Sequence, residues 1–261
     1  MEKVQIVILA AGKGKRMKSE LPKVLIPING KSMIERLIQT SIKSGLTKKP
    51  VVVVSESNQQ QIQEKLGNSC FYVVQKEQLG TGHAVLCTKN LLQNNVENVL
   101  VMYGDHSFVT PATLEKLVAK VQEGDHALSM ATTKVNEFSG WQKTFFDFGR
   151  IIRNEQGDIT EIVEKKDATD EQLKITEVNP AYYCFNAKWL WHLLSEVKNN
   201  NSQAEYYLTD VVKLAIKSQR TISSCLINPK EALGVNDPEQ LLFAQNLRKL
   251  KTEKMIGATA E

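Results

Sequence analysis

The amino-acid sequence predicts an α/β fold built on a doubly wound, mostly parallel sheet. Three observations carry this reading. Short unbroken apolar runs, "KVQIVILAA", "PVVVVSE" and "NVLVMYGD", have the character of strands buried on both faces. Between them lie segments whose apolar residues recur at helical spacing. The two patterns alternate at the spacing of βαβ units through about residue 133.

The elements follow in order. "KVQIVILAA" is the first strand and runs into a glycine-containing loop. "SMIERLIQTSIKSG" is a helix that stops at Gly45. "PVVVVSE" is a strand and "NQQQIQEKLG" a polar helix; "CFYVVQ" is a third strand and "GHAVLCTKNLLQ" a third helix. "NVLVMYGD" is followed by "TPATLEKLVAKVQEG", a helix with Thr110 as N-cap and Pro111 at its first position. "HALSMATTK" is a fifth strand. The second half changes character. "FGRIIRNEQGDITEIVEK" reads as two strands around a Gln-Gly-Asp turn, "EVNPAYYCFN" as another strand, and "TISSCLI" as a late one. "AKWLWHLLSEVKNN", "AEYYLTDVVKLAIKSQ" and "PEQLLFAQNLRKLKTEKM" read as helices, with "KNNNSQ" a loop.

The composition narrows the function classes. With 42% hydrophobic and 24% charged residues, the chain of 261 can bury a real core. No stretch approaches the roughly 18 apolar residues of a membrane span. The first apolar run is short and leads into a polar loop, unlike a secretory leader. Cys70, Cys87, Cys184 and Cys225 form no C-x-x-C pair, and His83, His106, His126 and His192 have no ligand spacing. Neither a zinc site nor a disulfide framework is expected, and a cytoplasmic location with reduced cysteines is. The net charge of +4 is concentrated: Lys13, Lys15, Arg16, Lys18 and Lys23 stand against Glu20 in "LAAGKGKRMKSELPK". That favours a small anionic ligand over a nucleic-acid surface. No internal repeat and no membrane contact are expected.

The loop itself fits neither common nucleotide motif. No Gly-Lys-Ser/Thr closes a Walker A spacing, and Met17 stands where a dinucleotide fingerprint needs its third glycine. A glycine turn after a buried strand still sits at the carboxyl edge of the sheet, where backbone N–H groups and cations meet phosphates. On composition alone, phosphate binding and a solvated basic loop are evenly balanced. Asp105, at the end of "NVLVMYGD", reads either as a crevice carboxylate or as a strand-end turn residue. Asn236, in "GVNDP", reads as a ligand or as a helix cap.

The order of motifs extends further. "LAAGKGKRM…LPK" matches L-A-A-G-x-G-x-R-M followed by P-K, and resembles the signature of the sugar-1-phosphate nucleotidyltransferases. "QKEQLGTGHA" is similar to the uracil-reading segment of the family's N-acetylglucosamine-1-phosphate uridylyltransferases. "GRIIRNEQGDITEIVEKKDATDEQ" is similar to their sugar-pocket segment, and "NNNSQAEYYLTDVV" and "LGVNDPEQL" complete the order. The resemblance implies a Rossmann-like, GT-A-like fold with a smaller β-rich sugar-binding part. It implies a single unit over 1–261, with a nucleotide-binding half (1–133), a sugar-binding half (134–238) and a C-terminal helix (239–261). No acetyltransferase β-helix domain is expected, and by subtraction a monomer or dimer.

The implied reaction joins UTP and N-acetylglucosamine-1-phosphate into UDP-N-acetylglucosamine, a cell-wall precursor, and pyrophosphate. Two polyanions must meet, so positioning and charge neutralisation are the main needs. By the resemblance, Arg16 and Lys23 are catalytic, and Asp105 and Asn236 hold Mg²⁺. Leu9, Ala10, Ala11, Gly12, Gly14, Gln75, Gly80 and Thr81 contact the nucleotide, and Gly149, Glu164 and Asn179 contact the sugar. His83 and His106 are left structural or peripheral. The chain departs from the family at "NPA" (179–181), where Asn-Thr-Gly is usual. It departs again at "SGWQKTFFDFGR", where a shorter Pro-x-Gly-Tyr approach is usual, and at Ser107, where a proline is common. Alternatives therefore include another sugar-1-phosphate or nucleoside triphosphate, a catalytically silent nucleotide-sugar sensor and, more weakly, a nucleic-acid-binding domain.

Overall fold

The first apolar run forms β1 (Val4–Leu9), buried along its whole length. The computed structural model describes residues 3–12, 14–201 and 203–257, excepting the side chains of Lys15 and of 250–257. After β1 the basic loop makes two short 3₁₀ turns, Lys15–Met17 and Lys23–Leu25, and a small hairpin of β2 (Pro27–Ile28) and β3 (Lys31–Ser32). Lys13 lies outside the described residues. Helix α1 (Met33–Lys43) starts at a capping box, in which Ser32 and Glu35 satisfy each other's backbone N–H. Then come β4 (Val51–Ser55), α2 (Gln59–Leu66) and β5 (Phe71–Gln75).

The expected single helix after β5 is two, α3 (Thr81–Leu86) and α4 (Lys89–Leu92). The buried Thr88 hydroxyl donates to the Val85 carbonyl at 2.7 Å, a side-chain bond that competes with continuation of the helix. β6 (Asn98–Tyr103) and α5 (Pro111–Gln122) follow, with the Thr110 hydroxyl capping Thr113 N–H as the sequence predicts. β7 (His126–Lys134) is then followed by a 3₁₀ helix, Gly140–Asp147, made by the aromatic segment.

β8 (Arg150–Arg153) and β9 (Ile159–Val163) are the expected hairpin, turning at Gly157. A short α6 (Asp170–Leu173) precedes β10 (Glu177–Val178) and β11 (Tyr183–Asn186). The expected strand over "EVNPAYYCFN" is thus broken at Asn179-Pro180-Ala181. Pro180 has no N–H to give a ladder, and Ala181 takes a left-handed φ of +61°. After α7 (Ala187–Leu194), α8 (Leu208–Lys217) begins four residues later than expected. Residues 204–207 are held outside a helix, since Tyr206 pairs its N–H with Leu79 O and its carbonyl with Gly82 N–H. β12 (Thr221–Ile227) and α9 (Pro238–Gly257) end the described chain.

One sheet runs through both halves in the order β5-β4-β1-β6-β11-β7-β10-β8-β9, with β12 parallel to β7. Strands β5, β4, β1 and β6 are parallel. β11 enters antiparallel between β6 and β7. Alternate residues of β1 serve opposite faces: Ile6 and Ile8 pack in one core with Met33, Leu37 and Leu117, Val7 and Leu9 in the other with Val85, Leu190 and Val211. Each such fully buried side chain contributes about 1.5–3 kcal/mol.

The aromatic segment is anchored by Arg150, whose side chain is fully buried. Its guanidinium donates to the carbonyls of Phe146 and Phe148, and it lies 4.9 Å from the ring centroids of both Phe138 and Phe146. Trp141 stacks on Phe243 of α9 with ring planes 7° apart.

Candidate active site

The parallel strands bring three loops to one edge. The glycine loop leaves β1, Gln75 ends β5, and Asp105 follows β6 by two residues. Open α/β sheets bind ligands at this carboxyl edge. A cleft of about 440 Å³ lies here, and Ala11, Gly12, Lys23, Gln75, Thr81 and Asp105 are among its walls.

At one end of the cleft, charged and polar side chains from three distant segments converge. Lys23 Nζ donates to Asp105 Oδ2 at 2.7 Å and to Asn236 Oδ1 at 2.9 Å. Arg16 Nη2 donates to the same Asn236 oxygen at 3.1 Å. Burial raises the Asp105 carboxyl, but the Lys23 ammonium and its hydrogen bond outweigh this and hold it below the usual carboxylate value. Asn236 is held from behind, since its N–H donates to Gln240 Oε1 at 2.7 Å in the first turn of α9. The segment before it is tied to α5 by Glu231, whose Oε2 accepts from Thr110 N–H and from the Thr110 and Thr113 hydroxyls. Gly14 allows Lys23 to come so near: its φ is +57°, and a Cβ there would lie 2.7 Å from Lys23 Cβ.

The cleft's other end is shaped by backbone. Ala10 is tied through its N–H to Val53 and through its carbonyl to the Asn58 amide. The Gln78 amide donates to Ala11 O at 2.9 Å. Gly80 has φ +104° and ψ 179°, and a Cβ there would lie 2.6 Å from Tyr206 O. Only glycine adopts that conformation without strain. The Thr81 hydroxyl accepts from Leu208 N–H at 3.0 Å.

The third group of predicted residues forms a separate cluster beside the cleft. Asn179 N–H donates to Gly149 O at 2.9 Å, and Asn179 Nδ2 to Tyr183 OH at 2.7 Å. A Cβ on Gly149 would stand 3.5 Å from both Glu164 carboxylate oxygens. Burial raises the Glu164 carboxyl, with Lys213 opposing and Asp167 and Asp210 reinforcing the rise. Tyr103 lines the cleft and is the nearest link to this cluster. Burial, with Asp105 and Glu164 adding to it against a hydrogen bond with Thr81, pushes its phenol up to about 12. A larger cavity of about 610 Å³ lies between the 3₁₀ helix 140–147 and α9. It touches Val235 and Asp237 on either side of Asn236 and none of the glycine loop.

Sequence reasoning does not single out Gln78, Tyr103 or Glu205, which also wall the cleft. Gln78 stands within the quoted "QKEQLGTGHA", but its partner Ala11 is 67 residues away. His106 is buried against Tyr103 and Tyr182, and burial lowers its imidazole. Among the described residues no three His, Cys, Asp or Glu converge on a point. An ion between Asp105 Oδ2 and Asn236 Oδ1 would therefore take two protein oxygens, a set that suits Mg²⁺, which keeps waters and phosphate ligands. The Lys23 ammonium bonding both oxygens at once shows that they can share one cation. No helix among the described residues is long and apolar enough to cross a membrane.

Comparisons with known proteins place the chain in a family. A protein named bifunctional protein GlmU from Brevibacillus brevis is 39% identical over 246 residues, covering 94% of this chain and 51% of that protein. Its namesake from Desulfotalea psychrophila is 36% identical, covering 97% of this chain and 73% of that protein. The chain thus spans about half the length of the Brevibacillus brevis and Clostridium novyi relatives. A crystal structure of UDP-glucose pyrophosphorylase complexed with UDP-glucose superposes with a TM-score of 0.74 at 22% identity, covering 96% of this chain and all of that one. A putative glucose-1-phosphate thymidylyltransferase from Bacillus anthracis gives 0.73 at 17% identity, covering 94% of each chain. These two establish the fold. The family model described as nucleotidyl transferase matches residues 5–230, the span that carries the glycine loop, Asp105 and the Glu164 cluster, and the chain belongs to that family.

Proposed function

We propose that the chain transfers a uridylyl group from UTP to N-acetylglucosamine-1-phosphate. A phosphate oxygen of the sugar phosphate attacks the α-phosphorus, the bond to the bridging oxygen of the β-phosphate breaks, and pyrophosphate leaves. The observation that carries this reading is the convergence of Arg16 and Lys23 with Asp105 and Asn236 at the end of a glycine-walled cleft.

The chain's own groups supply what two colliding polyanions need. Lys23 places one positive charge where the reacting phosphates meet, and Arg16 offers a fork of N–H donors to the leaving pyrophosphate. The backbone at Ala11, Gly12 and Gly14 admits phosphate oxygens closely, and Leu9 and Ala10 set the loop's path. Gln75, Gly80 and Thr81 receive the base. Glu164, Asn179 and Gly149 receive the sugar, with Glu164 accepting from a hydroxyl. Asp105 and Asn236 would hold Mg²⁺, and a bound Mg²⁺ supplies further neutralisation of phosphate charge. No protein nucleophile is called for. The preference for N-acetylglucosamine rests on the similarity of segment 149–172 to the family's sugar-pocket segment, and the reading of both halves as one unit is supported by the sheet they share, from Val4 to Ile227.

The test is a pyrophosphate-release assay on the purified chain. UTP, CTP, ATP and dTTP are crossed with N-acetylglucosamine-1-phosphate, glucosamine-1-phosphate and glucose-1-phosphate, with and without a chelator. The expected result is turnover with UTP and N-acetylglucosamine-1-phosphate that the chelator abolishes. Tight UTP binding without turnover on any sugar phosphate would overturn the reading in favour of a nucleotide sensor.

A further inference from the structure

The carboxamide of Gln75 has only one orientation open to it. Its Nε2 donates to Gly80 O at 3.0 Å and stands 3.1 Å from His83 Nδ1. A carbonyl only accepts, so the amide nitrogen has to face Gly80. The second amide hydrogen is then directed at His83, which must take it on an unprotonated Nδ1 and carry its own hydrogen on Nε2. His83 Nε2 lies 3.9 Å from Cys87 Sγ, a soft acceptor that suits this tautomer. Both Gln75 hydrogens are thereby committed within the protein. Among the described residues no donor reaches Gln75 Oε1, and Gln75, although 3% exposed, walls the cleft. The oxygen is the one hydrogen-bonding end of this amide left for a ligand.

We propose that His83 is a positioning residue for base selection: by accepting at Nδ1 it keeps the Gln75 amide turned with Oε1 toward the base, so that the cleft admits a pyrimidine bearing N3–H and rejects one with a bare N3. Uracil donates from N3. Cytosine presents a lone pair there, and against a fixed carbonyl oxygen it meets repulsion and an unpaired acceptor. Were the amide free to turn, its NH₂ would satisfy cytosine as readily. Gly80 O and His83 Nδ1 together prevent that turn, and helix α3 sets their spacing because Gly80 and His83 lie three residues apart at its first turn. This rests on the cleft being a uridine-nucleotide site, and deepens that reading by naming how uridine is told from cytidine.

The test compares His83→Leu, which removes the acceptor, with His83→Asn, whose Oδ1 replaces Nδ1 as acceptor. In the intact chain, His83→Leu is expected to lower the UTP-to-CTP ratio of kcat/KM about tenfold, through a raised UTP KM with kcat within about threefold. His83→Asn is expected to restore the ratio to within about twofold of the unaltered protein. In parallel, ¹⁵N NMR of the unaltered protein reads the imidazole directly, with Nδ1 expected bare and Nε2 protonated, whether or not the variants fold. An Nδ1-protonated ring, or an unchanged ratio and UTP KM in both variants, would overturn the role of His83. Absence of UTP turnover by the unaltered protein would instead overturn the nucleotide reading, leaving the tautomer to be judged by NMR alone.

Discussion

Lys23 Nζ lies 2.7 Å from Asp105 Oδ2, a contact between side chains 82 residues apart. With side chains 19% and 10% exposed, the pair is shielded from water, and the ammonium is also bonded to Asn236. In the proposed reaction, the cation shared by these two oxygens lies where the phosphates would meet. Asp105→Asn keeps the shape and removes the anion. It is expected to lower kcat/KM by about 100-fold or more, the scale seen when a preorganised charge is taken from a reacting centre. Steady-state pyrophosphate release, with circular dichroism to confirm the fold, checks this.

Gly80→Ala places a methyl group 2.6 Å from a backbone oxygen, at a φ of +104° that alanine avoids. The backbone strain alone costs about 1–3 kcal/mol, and neither Gly80 nor Tyr206 can yield by a rotamer change. A loss of at least about 2 kcal/mol in urea unfolding is expected, and UTP binding measured by calorimetry should weaken as Gly80 O shifts away from Gln75.

Ala181 should respond in the opposite sense. Its φ of +61° costs about 1–2 kcal/mol for a residue with a Cβ, while the Asn179 side chain holds the turn by accepting from Ala181 N–H at 2.9 Å. Ala181→Gly relieves the strain and adds back unfolded-state entropy of about 0.5–1 kcal/mol. The expected net gain is up to about 1 kcal/mol, read as a raised melting temperature. A loss of stability would show that the alanine side chain matters more than the turn.

Acid should weaken one hinge of the second half. Burial raises the Glu177 carboxyl, but the hydrogen bonds from Arg153 and the charges of Arg153 and Lys134 leave it below its ordinary 4.5. Arg153 donates to it twice, at 3.0 and 2.7 Å. A carboxyl lowered on folding contributes stability that is full above its unfolded value and is lost as pH falls through the folded one. The contribution should therefore be full at pH 6 and be lost progressively as acidification passes below the ordinary 4.5 and through the lowered folded value. Glu177→Gln should cost about 2 kcal/mol near neutrality, and the gap between variant and parent should close in acid. Urea melts at several pH values decide this.

The alternation of apolar runs and amphipathic segments determined the α/β class, most strand positions and the Thr110 cap, because burial on two faces or one leaves a period in the sequence. The order of short motifs named residues that the fold sets in two neighbouring groups, one around the cleft at the sheet edge and one at Gly149, Glu164 and Asn179. What the chain order could not disclose was every contact made across it. The bond from Lys23 to Asp105, the three donors on Glu231 and the pairing of Tyr206 with Leu79 and Gly82 join residues 80 or more positions apart. Local propensity carries no trace of such partners. The late start of α8 and the aromatic segment folded around Arg150 were likewise decided by tertiary structure. In each, backbone or side-chain groups found partners from another element that were stronger than the local pattern.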